Sequence, residues 1–371
     1  MQTGIGKKER NMGVELLRIV SMLMVAVAHI LGQGGVLAGV SAAPQTAGYA
    51  AAYLLESCCL LACNSYALVS GYVGAEGHFR YARLFETQVR VLFYTVLITA
   101  GFCIAVPELF GFTLIKNALF PAMTGQYWYY TAYFGLMLFM PALQCMIAHL
   151  NRVQFRNLVV SIILLFSVLP ALFVSDIFQT AQGYSLWWLI ALYLVGAYIK
   201  KYGCPLLKKP IPALAVYALS ILAAWGIQMT EAYGVGIPLP NMLVFTSPAM
   251  LLGSVALLVA FSGFRLPGPV KKAVSLCAPL SFSVYLIHVH PLVWRHLFEG
   301  RFAVFADYPA YGLVCAVIAA AVVIYAGCTL IDAVRAWLFR ICRVRTGCEW
   351  LEERLKGLLG GRMDRTSKGN D

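Results

Sequence analysis

The chain has 371 residues, 61% of them hydrophobic and only 12% charged, with a net charge of +12. A soluble domain carries about 25% charged residues, so composition excludes an ordinary soluble protein. The positive charge sits between apolar runs instead of forming a patch. It therefore reads as a topology signal and not as a nucleic-acid surface.

Apolar runs near the length of a bilayer span recur from end to end, which calls for helices and not a barrel. The predicted fold is all-α, a polytopic membrane helix bundle of about ten transmembrane helices. The spans are placed at 13–33, 47–72, 86–106, 127–147, 157–175, 185–200, 212–230, 241–262, 275–296 and 309–335. Lys7, Lys8 and Arg10 precede the first span, and Lys or Arg clusters follow the second, fourth, sixth, eighth and tenth. The intervening loops are poor in both residues, so both termini are expected in the cytoplasm. A rival reading makes the first run a cleaved signal peptide, with a basic start and the small residues Ser41-Ala42-Ala43. Arg18 and Glu15 interrupt that pattern, and cleavage would remove the first member of the charge alternation.

The first span carries Arg18 and His29, both costly in hydrocarbon and therefore candidate functional residues. Ten residues separate them. On an α-helix that step leaves them about 20° apart and about 16 Å apart along the axis. Arg18, Met22, Val25 and His29 share one stripe, and Glu15 lies one turn before Arg18, within pairing reach. In the second span Glu56 and Asn64 must face the bundle or water. Arg80 and Arg83 follow it. They fit plain positive-inside decoration, and equally a clamp for phosphates, which guanidinium groups bind bidentately.

Gln126-Tyr127-Trp128-Tyr129-Tyr130 opens the fourth span at the outer interface. Aromatic belts produce such clusters, and a sugar acceptor would also stack there. The ninth span holds His288 and His290. Residues two apart point to different sides of a helix, so one can face the interior while the other does not. His78 and His149 sit at cytoplasmic edges. The eleven cysteines form no C-x-x-C pair, which gives no zinc or disulfide case. After Arg335 the chain reads as a basic amphipathic helix, Trp337 to Leu359, on the inner leaflet, and Gly360 to Asp371 as an unstructured end. The chain thus divides into a membrane domain at 1–338 and a cytoplasmic basic tail at 339–371.

These residues resemble the acyltransferase-3 family of integral membrane acyltransferases. Glu15-Leu16-Leu17-Arg18-Ile19 followed by His29 is similar to the family's opening. So are Asn64 to Tyr72 in the second span, the Arg80-x-x-Arg83 pair, Tyr127 to Tyr133 with Pro141, and Ser283 to His288. The match runs in order through nearly the whole chain. Many members carry an extra extracytoplasmic esterase-like domain; none is expected here, so the chemistry is expected within the bundle.

The resemblance implies transfer of an acyl group, acetyl above all, from cytoplasmic acyl-CoA to a hydroxyl of a cell-envelope glycan or lipid-linked sugar. It implies a multi-pass protein of the plasma membrane and no metal. His29 would be the catalytic base, with Glu15 beside it in the catalytic set. Arg18, Arg80 and Arg83 would bind the coenzyme, and Trp128, Tyr129, Tyr133 and His288 the acceptor. Physically, a basic inner mouth suits an anionic cytoplasmic cosubstrate, and a hydroxyl needs a neutral imidazole to take its proton. The alternative class is a transporter or flippase of a lipid-linked saccharide, which would also need polar residues in the bundle.

Overall fold

The computed structural model describes residues 10–205, 207–234 and 240–367, with side chains through Leu358. Lys7 and Lys8, the start of the predicted basic flank, lie outside those residues. All regular structure among the described residues is helical. Eight helices are long and apolar enough to cross a bilayer: α1 (Met12–Leu31), α2 (Ala47–Gly74), α3 (Tyr81–Ala105), α4 (Trp128–His149), α5 (Arg152–Phe173), α7 (Pro210–Ala232), α9 (Gly268–His288) and α10 (Ala310–Ile341). The predicted sixth and eighth spans are shorter: α6 (Leu186–Tyr202) has 17 residues and α8 (Pro248–Ser262) has 15. A helix of that length covers about 22–26 Å, less than the roughly 30 Å of hydrocarbon. Both pack against α2 inside the bundle.

α1 is the central helix. It packs against α2, α8, α9 and α10, and Met22 and Val25 of its polar stripe lie in the main core. Its start is fixed twice by Asn11. The Asn11 side chain caps the helix by accepting from the Val14 amide at 3.2 Å, an ordinary N-cap interaction. Its amide also donates to the Ser262 carbonyl at the end of α8, 2.8 Å away. α2 and α6 approach backbone to backbone. A Cβ on Gly71 would strike the Tyr193 carbonyl, and one on Gly196 would strike the Leu68 carbonyl. Small residues at such crossings are what lets membrane helices come this close.

The two ends of the bundle are distinct. One end gathers Asn11 with Ser262, Lys200 with Glu76 at 3.7 Å, and Arg80 with the last helix, α11 (Val344–Ser367). These belong to the loops that the charge pattern places together. The other end carries the loop after α1, where backbone bonds run from Gly300 to Gln33 at 3.2 Å and from Phe302 to Gly34 at 3.0 Å.

Three predicted boundaries shift. The ninth span ends at His288 instead of 296, because Pro291 cannot continue a helix and biases the residue before it away from helical geometry; residues 291–298 form a separate short turn. α10 runs on through Trp337 to Ile341, and the tail helix begins only at Val344, after Arg343 takes a left-handed φ of 51°. α11 then continues to Ser367, past the Gly360 at which an unstructured end was expected.

Candidate active site

The far end of α1 is held in place by its neighbours. Gly34 and Gly35 let the chain turn back, Gly35 with φ of +97°, a conformation glycine adopts without cost. The backbone bonds to 300–302 tie this turn to the segment that follows α9. His29, in the last turn of α1, is thereby set against the end of α9. Its Nδ1 lies 3.0 Å from Nε2 of His288. The rings sit 5.2 Å apart, and Trp294 presents an edge contact to His29 at 5.6 Å. His288 is buried, with its Nδ1 2.5 Å from the Val284 carbonyl one turn back. Among the described residues nothing hydrogen-bonds Nε2 of His29, and the residue is half-buried.

His290 points elsewhere, because the helix has ended at His288 and His290 caps the short turn that follows. Its Nδ1 accepts from the Leu292 amide at 3.2 Å, and its Nε2 lies 3.3 Å from the Gln126 side-chain nitrogen. A neutral His290 with Nδ1 accepting carries its proton on Nε2, so the Gln126 amide must present its oxygen there. That flip also gives Gln126 Oε1, otherwise buried without a partner, its hydrogen bond.

The other end of the stripe is also built. Arg18 Nη1 pairs with Glu15 at 3.1 Å. The Tyr66 hydroxyl donates to the Arg18 carbonyl at 2.7 Å and lies 3.3 Å from Ser281. Ser281 follows the 3-10 turn Ala278–Leu280 that interrupts α9. Between Arg18 and His29 runs a ladder of tyrosines. Tyr66 and Tyr129 are 6.4 Å apart by ring centres, Tyr129 and Tyr133 6.1 Å, and Tyr129 and Tyr285 6.3 Å. The Tyr129 hydroxyl is buried without a partner among the described residues, while the Tyr285 hydroxyl faces the backbone amides of Tyr129 and Tyr130 at the start of α4.

The predicted site residues fall into three places. Glu15, Arg18 and His29 lie along α1, His288 meets His29, and Tyr129 and Tyr133 stack in the core that Tyr66 joins to Arg18. Trp128 joins this group through Tyr129 at 5.4 Å and extends it into an aromatic cluster with Tyr184 at 4.5 Å and Phe245 at 5.6 Å. Arg80 and Arg83 lie at the opposite rim. Arg80 is engaged by two carboxylates of α11, Glu349 at 3.2 Å and Glu352 at 3.5 Å, while Arg83 is exposed.

Three features escaped sequence reading. Tyr66 and Trp294 carried no polar signal at a distinctive spacing. Arg335 grips Asp332 bidentately at 2.8 and 2.7 Å, and Tyr94 donates to the same carboxylate at 2.6 Å. The i,i+3 spacing of Asp332 and Arg335 inside an apolar run was the available signal.

A multi-pass helical bundle whose α1 and α9 meet through two hydrogen-bonded histidines has the architecture of an integral membrane protein. The family model described as an acyltransferase domain, acyltransferase-3, matches residues 11–333. The chain belongs to this family and is an acyltransferase. No curated protein and no solved structure matches it.

Proposed function

We propose that the enzyme takes an acyl group, acetyl in the simplest case, from cytoplasmic acyl-CoA and passes it to a hydroxyl of a cell-envelope glycan or lipid-linked sugar at the plasma membrane. The observation that carries this reading is the placing of His29. It shares one face of α1 with Arg18, which lies toward the end of the bundle where the basic loops gather, and among the described residues its Nε2 has no hydrogen-bond partner.

The positive-inside rule makes the basic end cytoplasmic. The coenzyme's phosphates would stay at that end, near Arg18 and Arg83, and its thin arm would run along the tyrosines. The Tyr129 hydroxyl, buried without a partner among the described residues, is suited to an amide of that arm. The acceptor would approach from the opposite end, past Trp128, Tyr184 and Phe245, whose rings offer stacking faces to a sugar. His29 Nε2 takes the acceptor's hydroxyl proton as the oxygen attacks the thioester carbonyl. The carbon–sulfur bond then breaks, and the thiolate leaves with the proton returned from His29. General-base help of this kind contributes about 10²–10⁴-fold in rate.

The test is coenzyme release by the purified protein in lipid discs, with acyl-CoA and a panel of envelope glycans. Acceptor-dependent release, lost in His29→Ala, is expected. Equal release by the variant would remove His29 from the chemistry, and transport of a saccharide without thioester consumption would favour the flippase class. Orientation is checked by single cysteines at Gln45 and Gly77, after replacing the exposed Cys145, Cys315 and Cys342. Gln45→Cys should react with an impermeant reagent from outside, and Gly77→Cys only after permeabilisation.

A further inference from the structure

We propose that His288 is a positioning residue: through the Val284 carbonyl it fixes the tautomer of His29, so that the basic lone pair sits on Nε2 and faces the reaction space. The inference rests on the reading of His29 as the base.

The argument follows the hydrogens along one chain of three groups. A carbonyl oxygen can only accept. Val284 O lies 2.5 Å from His288 Nδ1, so that nitrogen carries a hydrogen. A neutral imidazole has one N–H and one lone pair. His288 Nε2 is therefore bare. It lies 3.0 Å from His29 Nδ1, and two nitrogens at that separation need one hydrogen between them. That hydrogen belongs to His29. Neutral His29 is thus an Nδ1–H tautomer with its lone pair on Nε2, the nitrogen without a partner among the described residues.

The geometry also decides what His288 does not do. Both of its ring nitrogens are used, one by Val284 and one by His29, and the residue is 1% exposed. It has no hydrogen-bonding capacity left for an acceptor molecule, which was the role expected from sequence. When His29 takes a proton on Nε2, its Nδ1–H bond to His288 becomes charge-assisted and strengthens. The pair therefore favours the protonated intermediate state without His288 touching substrate. A group that sets ring orientation and tautomer in this way is a recurrent partner of catalytic histidine. Here a second histidine, held by a helix carbonyl, takes the place of the more usual carboxylate.

The experiment reads the tautomer directly and the rate separately. Solid-state ¹⁵N spectra of the full chain in bilayers, labelled at histidine and assigned with His29→Gln, should show His29 protonated at Nδ1 and bare at Nε2. In His288→Ala this pattern should be lost. In His288→Gln it should persist, because the glutamine oxygen also accepts from Nδ1–H. Turnover should follow the same order. His288→Ala should lose on the order of 10²-fold in kcat with the acceptor KM unchanged, and His288→Gln should recover at least about tenfold of that loss.

A native spectrum with Nε2 protonated overturns the proposal. So does a higher acceptor KM at unchanged kcat in His288→Ala, which marks a substrate contact. A folded His288→Gln no faster than His288→Ala also overturns it, since a proton-carrying imidazole would then be required. If His288→Ala fails to fold, the native spectrum and the glutamine variant still decide. Failure of the base reading looks different, because an active His29→Ala enzyme would leave the native tautomer spectrum unchanged.

Discussion

The histidine centre and the arginine rim are both places where this protein concentrates nitrogen, and they are built on opposite terms. At the centre, His29 and His288 sit in the bundle, each ring held by a directed hydrogen bond, with one nitrogen left over. At the rim, Arg80 and Arg345 share Glu349, Glu352 is bridged by Arg80 and Lys356, and Arg83 stands in solvent. Directed bonds in a dry interior fix geometry to a single arrangement. The pairs of Glu349 are exposed, and such pairs are screened by salt and contribute little individually, while Glu352 is the one buried carboxylate among these rim residues. The difference teaches where a substitution should abolish the reaction and where it should only tune binding.

The largest effect belongs to the centre. His29→Ala should lower acyl transfer by about 10²–10⁴-fold while the protein still inserts and accumulates; near-normal turnover would erase the distinction between the two regions. Next comes a buried charge pair that lies between the regions in character. Asp332→Ala leaves Arg335, only 6% exposed at its side chain, without its partner. Breaking such a pair costs about 3–5 kcal/mol, and thermal unfolding in detergent should show a correspondingly large loss. A melting point equal to that of the native chain would mean that water reaches this site.

Arg18→Ala should act on binding. A charge-assisted contact to an anion is worth roughly 1.5–3 kcal/mol, so the KM for the thioester should rise about tenfold or more while the acceptor KM holds. If kcat falls instead at constant KM, Arg18 belongs to the centre and not to the mouth. Arg80→Ala combined with Arg83→Ala should have a smaller effect, about 1 kcal/mol or less, and one that shrinks at high salt. A large, salt-insensitive loss would show that the rim is as dry as the centre.

The smallest effect is a pH response confined to the rim. Hydrogen bonds from Arg345 and then Arg80 hold the Glu349 carboxyl below its ordinary value of 4.5. At Glu352 burial raises the pKa, but Lys356 and Arg80 outweigh it and the net direction is also downward. Both carboxylates have folded values below their unfolded ones. Their contribution to docking α11 is therefore complete above the unfolded value and is lost only as pH falls through the depressed folded value. Emission from the exposed Trp350 on α11 should stay constant from pH 8 to about 5 and change only in stronger acid. A shift near neutrality would tie the tail to other groups.

Much of this was legible in the chain. The apolar runs and their alternating Lys and Arg flanks placed a ten-helix bundle, because hydrocarbon thickness and backbone hydrogen bonding leave few other solutions. The eleven-residue step from Arg18 to His29 placed both on one face of α1, because helix geometry is local. The Glu15–Arg18 pair at 3.1 Å followed from the same local rule. Sequence expected His288 and His290 on different sides of one helix, whereas the helix ends at His288 and His290 is parted from it by the break before Pro291.

The rest depended on contacts between residues far apart in the chain. His29 and His288 are 259 positions apart, and no periodicity within either helix points to the other. Their meeting depends on the glycine turn after α1, the backbone bonds to 300–302 and the proline that ends α9. The capture of Arg80 by α11 and the Tyr94–Asp332–Arg335 cluster are of the same kind. Sequence by itself determined which residues are polar inside the membrane and which face of its own helix each occupies. Only the tertiary structure decided which polar groups share hydrogens, since that is set by packing between helices whose order in space is not their order in the chain.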